Sequence, residues 1–505
     1  MSAPVAGRPS VEGASSMGSM ARGFGIPRSI DMLSFTGNDK EVSHQLRGLS
    51  RATLEALATR GRNTTVEQDS RLAPGRIPLA EHRRSLRELV GAVLDSPHAP
   101  GVATVGLERA RGRTLSRDVT SPVNVPPVAN SQMDGFALNV ESLAPTPDGA
   151  PITLPLGPLI AAGDEPSTLE PGSARPIMTG APIPAGANAV IPVEETAVGR
   201  FAQRTKEESD VCTQPSDLTF TLASERRTEG RFVRPAGSDT ERGDVVARAG
   251  QVLTARLIGH LASVGVAEVE VRERLRAVVV STGTEVREPG EPEPDDWRIF
   301  DANSFLVSAA LEDAGIEVCA RLRVPDDPRA LLDDVGAACE SARAHLVVST
   351  GGVSAGAVEP IRQAAQMAAS PLRLAFDKVA MQPGGPQGLG MLAAEHGEVA
   401  WIALPGNPVS AYVSLEMFVR DALAAPPRAR VHLPVRTQTG ASEPSPEGLV
   451  QVRRARLNAD STVKLVGGPG SHLVGALALS DALVLIPPEV TRVADGDIHE
   501  VMILR

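Results

Sequence analysis

The stretch of this chain best suited to hold an anion reads LVVSTGGVSAGAVEPIRQA over 346–364. Four of its first five residues are apolar or β-branched and predict a buried strand. Gly351 and Gly352 follow at once, then Ser354 and Gly356, and a helical pattern starts near Pro360. Glycines let backbone N–H groups approach an anion, and the start of a helix adds partial positive charge. The spacing matches neither GxGxxG nor a Walker A loop. A Gly-rich turn without a ligand is the alternative at this point. The run ALPGNPVSA (403–411) raises the same question. Pro405, Gly406, Asn407 and Pro408 could form a tight turn ahead of a helix. Ser410 could cap that turn with its hydroxyl or contact a ligand.

These loops need a frame. From Arg276 onward the pattern alternates strand and helix: AVVVST, FDANSFLVSAALEDAG, EVCARLRV, PRALLDDVGAACESA, LVVST, VEPIRQAAQMAA, LRLAFDKVAM, VAWIALPG and PVSAYVSLEMFVRDAL. Such alternation predicts an α/β domain over 276–427, a parallel sheet with helices on both faces. Residues 428–505 alternate apolar and polar over short spans, which predicts a C-terminal β-barrel or sandwich. Residues 130–236 hold short apolar segments separated by Pro and Gly and read as a β module. The polar stretch 203–230 inside it reads as a long surface loop or hairpin insertion. Residues 79–129 and 237–275 flank the module as an extended linker region. Leu86, Leu89, Val90 and Val93 put an apolar stripe on a helix there. Residues 1–78 have few large apolar side chains and are expected to be disordered or weakly helical (around 44–61) and dispensable for folding.

At 505 residues the chain should hold roughly three or four domains. It is 42% hydrophobic but only 3% aromatic, so its cores must rest on Leu, Val, Ile and Ala. A net charge of −11 argues against non-specific nucleic-acid binding. Cys212, Cys319 and Cys339 lack CxxC spacing, which speaks against a disulfide framework or a Cys-based zinc site and for a reducing compartment. There is no run of 18 apolar residues and no signal-peptide pattern, so neither a membrane span nor export is expected. The expected location is the cytoplasm.

Five motifs stand in order: NSQMDGFA (130–137), MTGAPIPAGANAV (178–190), VVSTGTEV (279–286) with FDANS (300–304), STGGVSAG (349–356) and ALPGNPVSA (403–411). Together they resemble the molybdopterin molybdotransferases, the MoeA-type enzymes and the C-terminal domain of gephyrin. The resemblance covers about residues 83–505. It implies an elongated homodimer of four-part subunits, with an α/β domain similar to the molybdopterin adenylyltransferase fold. The active site would lie between the α/β domain of one subunit and the β part of the other. The implied reaction inserts molybdate into adenylylated molybdopterin and releases AMP, with Mg2+ as the divalent metal. Other proteins of molybdenum cofactor biosynthesis are implied as partners.

The resemblance carries over to particular residues. Asp134, Asp239, Glu285 and Glu359 match its acidic positions, and carboxylates suit Mg2+ as hard oxygen ligands. Asp134, Asp239 and Glu285 are the expected metal ligands. Asp134, Glu285, Glu359 and Lys378 are the expected catalytic groups. Thr179, Gly351, Gly352, Ser354, Gly356, Pro405, Gly406, Asn407, Ser410, Arg454 and Ser471 match substrate-binding positions. Lys378 could otherwise guard a strand edge.

The departures concern charge. Ala357 and Glu359 stand where an acid and an Asp are usual, and Thr284 replaces the acid of STGDE. The KPGKP turn is MQPGGP, with Gln382 and Gly385 in place of lysines; a nearby arginine could compensate, and Arg373 is the candidate by sequence. A paralogue impaired in catalysis, acting as scaffold or regulator, is the alternative function. The adenylyl-transfer step is a third reading, disfavoured by the extra domains.

Overall fold

The computed structural model describes residues 72–199, 216–291, 297–353 and 359–504. The helix pattern around 44–61 and Cys212 lie outside them. Residues 72–78, the end of the stretch expected to be disordered or weakly helical, pair with the body of the protein. Ala73 N donates to Gly448 O, Ile77 N to Lys378 O and Ala380 N to Ile77 O. These bonds lay the segment along the body, where it leads into helix α1 (Leu79–Leu94). The stripe Leu86, Leu89, Val90 and Val93 is buried, as the spacing predicts. Beyond it, Val102–Gly106 pairs antiparallel with Glu268–Arg272. Helix α2 (Ala255–Ser263) packs nearby, its start capped by Thr254 Oγ1, which accepts from Leu257 N. Leu115, Leu253, Leu261, Val269 and Val271 form the core of this part.

In the β module, β1 (Gly135–Leu138) lies between β2 (Arg175–Ile177) and β3 (Ala189–Pro192), antiparallel to both. Part of the stretch read as a surface loop belongs here. Asp217–Thr221 is a strand paired with Pro151–Pro155. Its alternation buries Leu218 and Phe220 in one core with Phe136, Leu138 and Ile191. Residues 203–215 lie outside the described set.

The α/β part is built on β4 (Arg276–Thr282), α3 (Asn303–Asp313), β5 (Glu317–Val324), α4 (Pro328–Ala342), β6 (Leu346–Thr350), α5 (Pro360–Gln366), β7 (Leu372–Lys378), β8 (Pro386–Ala394), β9 (Gly397–Leu404) and α6 (Pro408–Ser414). The sheet order is β5–β4–β6–β9–β8–β7. The first four strands are parallel, while β8 and β7 continue the sheet antiparallel. That hairpin is an addition that strand–helix alternation does not reveal. Val278 and Val280 of β4 face Leu331 and Val335 of α4 and Ile361 of α5 in one core. Ala277 and Val279, on the opposite face, are buried as well. Trp401 is fully buried despite the low aromatic content, and its Nε1 donates to Ser349 Oγ at 2.8 Å.

The C-terminal part closes on itself. Strands β10 (Arg430–Arg436), β11 (Val450–Leu457), β12 (Val463–Leu465), β13 (Ala482–Ile486) and β14 (Ile498–Ile503) form the ring β11–β12–β10–β14–β13, with β13 pairing back to β11. Of the two expected architectures, the barrel is the one formed. The short strand Met381–Gln382 pairs with Val450–Gln451 at the start of β11, tying the α/β part to the barrel.

Candidate active site

Parallel sheets present ligand sites at the carboxyl ends of their strands. Here β4, β6 and β9 end side by side in STG, TGG and LPGN. Gly351 has φ +90°, and a Cβ there would stand 2.6 Å from Thr282 Oγ1. Gly351 N donates to Leu404 O. A Cβ on Gly406 would meet Gly351 Cα at 3.2 Å. Thr282 Oγ1 donates to Thr350 O at 3.3 Å, and Asn303 Nδ2 donates to Gly406 O at 2.6 Å. The three loops therefore form one floor with backbone at its surface. An added Cβ would clash at Gly351 and crowd the backbone at Gly406.

Carboxylates rim this floor. Glu285 folds back over Gly283, where a Cβ would lie 2.7 Å from its Oε2. Asp326, at the end of β5, accepts from Thr284 N at 3.1 Å and Thr284 Oγ1 at 2.8 Å. Thr284, in place of an acid, thus ties an acid from the next strand to the same rim. Glu359 is buried at the start of α5. Gly352 has φ +65° and packs close to Ile361. Ser354 and Gly356 lie outside the described residues.

Beside the floor is a cleft of about 370 Å³. Its wall is the turn from Met381 to Pro386, with Ser410 of α6, Leu449, the barrel loop Pro469–Ser471, and Arg76 from the N-terminal segment. Val409 N donates to Ser471 O, docking the barrel loop on α6. Arg454 is buried beneath this loop and donates to Gly468 O and, at 3.0 Å, to Gly470 O. Burial, and then the neighbouring Arg453, lowers its pKa. Its place in this chain is under the loop that carries Ser471. Gln382 Oε1 accepts from Gln451 Nε2 at 3.1 Å. Lys378 is exposed at the end of β7, opposite Pro386. Arg373 does not compensate for the missing lysines, because it forms an exposed ion pair with Glu398.

Asp134 lies in the β module, where Thr179 N and Thr179 Oγ1 both donate to its Oδ1 at 2.7 Å. The turns NSQMDG and MTGAP interlock to create this arrangement. Gly180 N donates to Ser131 O and Ser131 N to Ala181 O. Asp239 is exposed beside Val125, whose carbonyl accepts from its N–H. The structure thus joins Gly351, Gly406 and Glu285 on the floor and Ser410 and Ser471 in the cleft. It leaves Asp134, Thr179 and Asp239 elsewhere. Among the described residues, no group of three or more His, Cys, Asp or Glu could hold a metal ion. The expected trio Asp134, Asp239 and Glu285 therefore does not form a metal site within one chain.

Sequence reasoning quoted Thr282 and Asn303 only inside motifs, without a role of their own, and missed Asp326 and Arg76. The PDDP run directly after a predicted strand was a usable signal for Asp326. Nothing local marks Arg76.

Three family models match in order: the MoeA N-terminal region (domain I and II) over 77–265, the probable molybdopterin binding domain over 278–425, and the MoeA C-terminal region (domain IV) over 436–504. The chain is 37% identical over 425 residues to molybdopterin molybdenumtransferase 2 of Mycobacterium tuberculosis, covering 82% of this chain and 98% of the relative. It is 30% identical to the molybdopterin molybdenumtransferase of Synechococcus elongatus, covering 84% and 99%. The crystal structure of the molybdopterin biosynthesis moeA protein from Pyrococcus horikoshii OT3 superimposes with a TM-score of 0.66 at 22% identity, over 85% of this chain and 100% of that one, and so shares the fold. The chain belongs to the molybdopterin molybdenumtransferase (MoeA) family.

Proposed function

We propose that this chain is a molybdopterin molybdenumtransferase of molybdenum cofactor biosynthesis. It takes adenylylated molybdopterin, inserts molybdate and releases AMP. The carrying observation is that one connection, Pro405–Ser410, running from the end of β9 into the first turn of α6, serves both halves of the site. Gly406 closes the glycine floor against Gly351, and Ser410, four residues on, lines the cleft. A pterin and its phosphates on the floor would therefore lie beside a small oxyanion in the cleft. Backbone amides and hydroxyls suit both ligands.

Each group has a task in this reading. Gly351, Gly352, Pro405, Gly406 and Asn407 shape the floor. Ser410 and Ser471 donate to the oxyanion, and Arg454 holds the loop of Ser471. Glu285 and Asp326 rim the phosphates, with Glu359 behind them, and Lys378 stands at the entrance. Asp134, fixed by Thr179, acts from the β module. Mg2+ and the homodimer go together: Asp134 and Asp239 lie away from Glu285 within one chain, so a cation held by Glu285 together with either of them would take carboxylates from two copies. Mg2+ would neutralise the phosphoanhydride oxygens. Among the described residues no helix is long and apolar enough to cross a membrane. The cytoplasm is the proposed location.

The purified full chain should consume adenylylated molybdopterin and release AMP only when molybdate is present. It should sediment as two chains per particle at micromolar concentration. Consumption independent of molybdate, or a monomer that turns over, would refute the corresponding part.

A further inference from the structure

We infer that Arg76, from the segment ahead of the first helix, supplies the positive charge that the MQPGGP turn lacks. The inference rests on reading the cleft as the oxyanion site.

Gly385 stands where the resemblance places a lysine. Its missing side chain does not leave a void. A Cβ on Gly385 would lie 2.7 Å from Arg76 Nη1, 3.4 Å from Val379 O and 3.5 Å from Met381 O. The guanidinium fills the space that a side chain at 385 would enter, and it lines the same cleft as Ser410 and Ser471. Its Nη1 donates to Val379 O at 3.0 Å. That carbonyl is its one protein acceptor among the described residues. A guanidinium carries five N–H donors in a planar fork, so most of them remain for a ligand. Its position is set by backbone, since Ile77 N donates to Lys378 O and Ala380 N donates to Ile77 O. Those bonds tie the residue after Arg76 to the stretch that runs into the turn. Arg76 and a lysine at 385 are thus alternative ways of bringing one cation into this cleft. Glycine at 385 is the condition for Arg76 to be there.

The chemistry points to a small tetrahedral oxyanion, which a guanidinium fork meets with two parallel hydrogen bonds. Molybdate is the probe, titrated calorimetrically into the full chain. Arg76→Gln should weaken binding by about 10- to 100-fold, the range for losing one close charge at partial screening. It should also flatten the salt dependence, a change that loss of packing alone would not produce. The segment's backbone bonds do not involve the side chain, so the thermal transition should stay within a few degrees. The decisive variant is Arg76→Gln with Gly385→Lys. With the guanidinium gone, the lysine has room, and affinity should return to near that of the unmodified chain. Unchanged affinity in Arg76→Gln overturns the inference. So does a double variant as weak as Arg76→Gln, because the charge would then not be what Arg76 contributes. If the unmodified chain binds no molybdate, the proposed function of the cleft fails, and that result is distinct from either.

Discussion

The glycine floor and the cleft beside it share a loop but are built on opposite principles. The floor is backbone. Three strand ends meet through Thr282, Gly351 and Gly406, with a clash for any Cβ at Gly351 and little room for one at Gly406. The cleft is made of side chains and turns from five distant pieces: 76, 381–386, 410, 449 and 469–471. A site made of backbone tolerates no added Cβ. A site made of side chains can be recharged from any segment that reaches it. The charge lost at Gln382 and Gly385 therefore does not imply a dead cleft, whereas one added methyl group on the floor would do damage.

The largest expected effect breaks the floor. Gly351→Val combines strain at φ +90° with a clash on Thr282. It should cost roughly 4 kcal/mol of stability by urea unfolding, and turnover should be lost. A variant of native stability would mean that the loops are looser than they look.

The next test loads the other side. His82 lies on α1, which follows directly from the Arg76 segment. Burial, then Arg83, lowers its pKa from 6.5 to about 4. The folded chain keeps it neutral while the unfolded chain takes up the proton. Stability should fall as pH drops from 6.5 toward 4 and level off below, by about 3 kcal/mol at most. Urea midpoints at pH 7 and 4.5 measure this. His82→Leu should flatten the dependence; an unaltered pH profile would show that other groups dominate.

Asp134 and Thr179 belong to neither region and sharpen the contrast. Asp134→Ala should lower kcat/KM by about 100-fold, ~2.7 kcal/mol, and Thr179→Ala by roughly tenfold, because it removes only the hydroxyl bond. Full turnover in Asp134→Ala would exclude the β module from the reaction. The smallest effect is Gln382→Lys. It adds a cation to a cleft already served by Arg76 and costs Gln451 its acceptor. Molybdate affinity should rise less than tenfold, within about 1.4 kcal/mol. A larger gain would show that Arg76 leaves charge wanting. Lysine at 385 by itself would meet Arg76, which stands in that space.

The floor was legible in the sequence because its signals are local. A β-branched run followed by glycine says where a strand stops and where backbone lies bare, and strand–helix alternation puts several such ends on one edge. The same locality made the barrel strands, the α1 stripe and the motif order readable. Tertiary structure alone decided what fills the space at Gly385, because a missing side chain does not say what takes its place. It decided that Asp217–Thr221 pairs with Pro151–Pro155, a partnership across a polar insertion that composition disguises. It also assigned Arg454 to the loop carbonyls beneath Ser471 and Arg373 to Glu398. The physical reason is the same in each case. Local sequence sets backbone preference and burial, but a charge acts through space on whatever the fold brings within a few ångströms, and that distance is written nowhere along the chain.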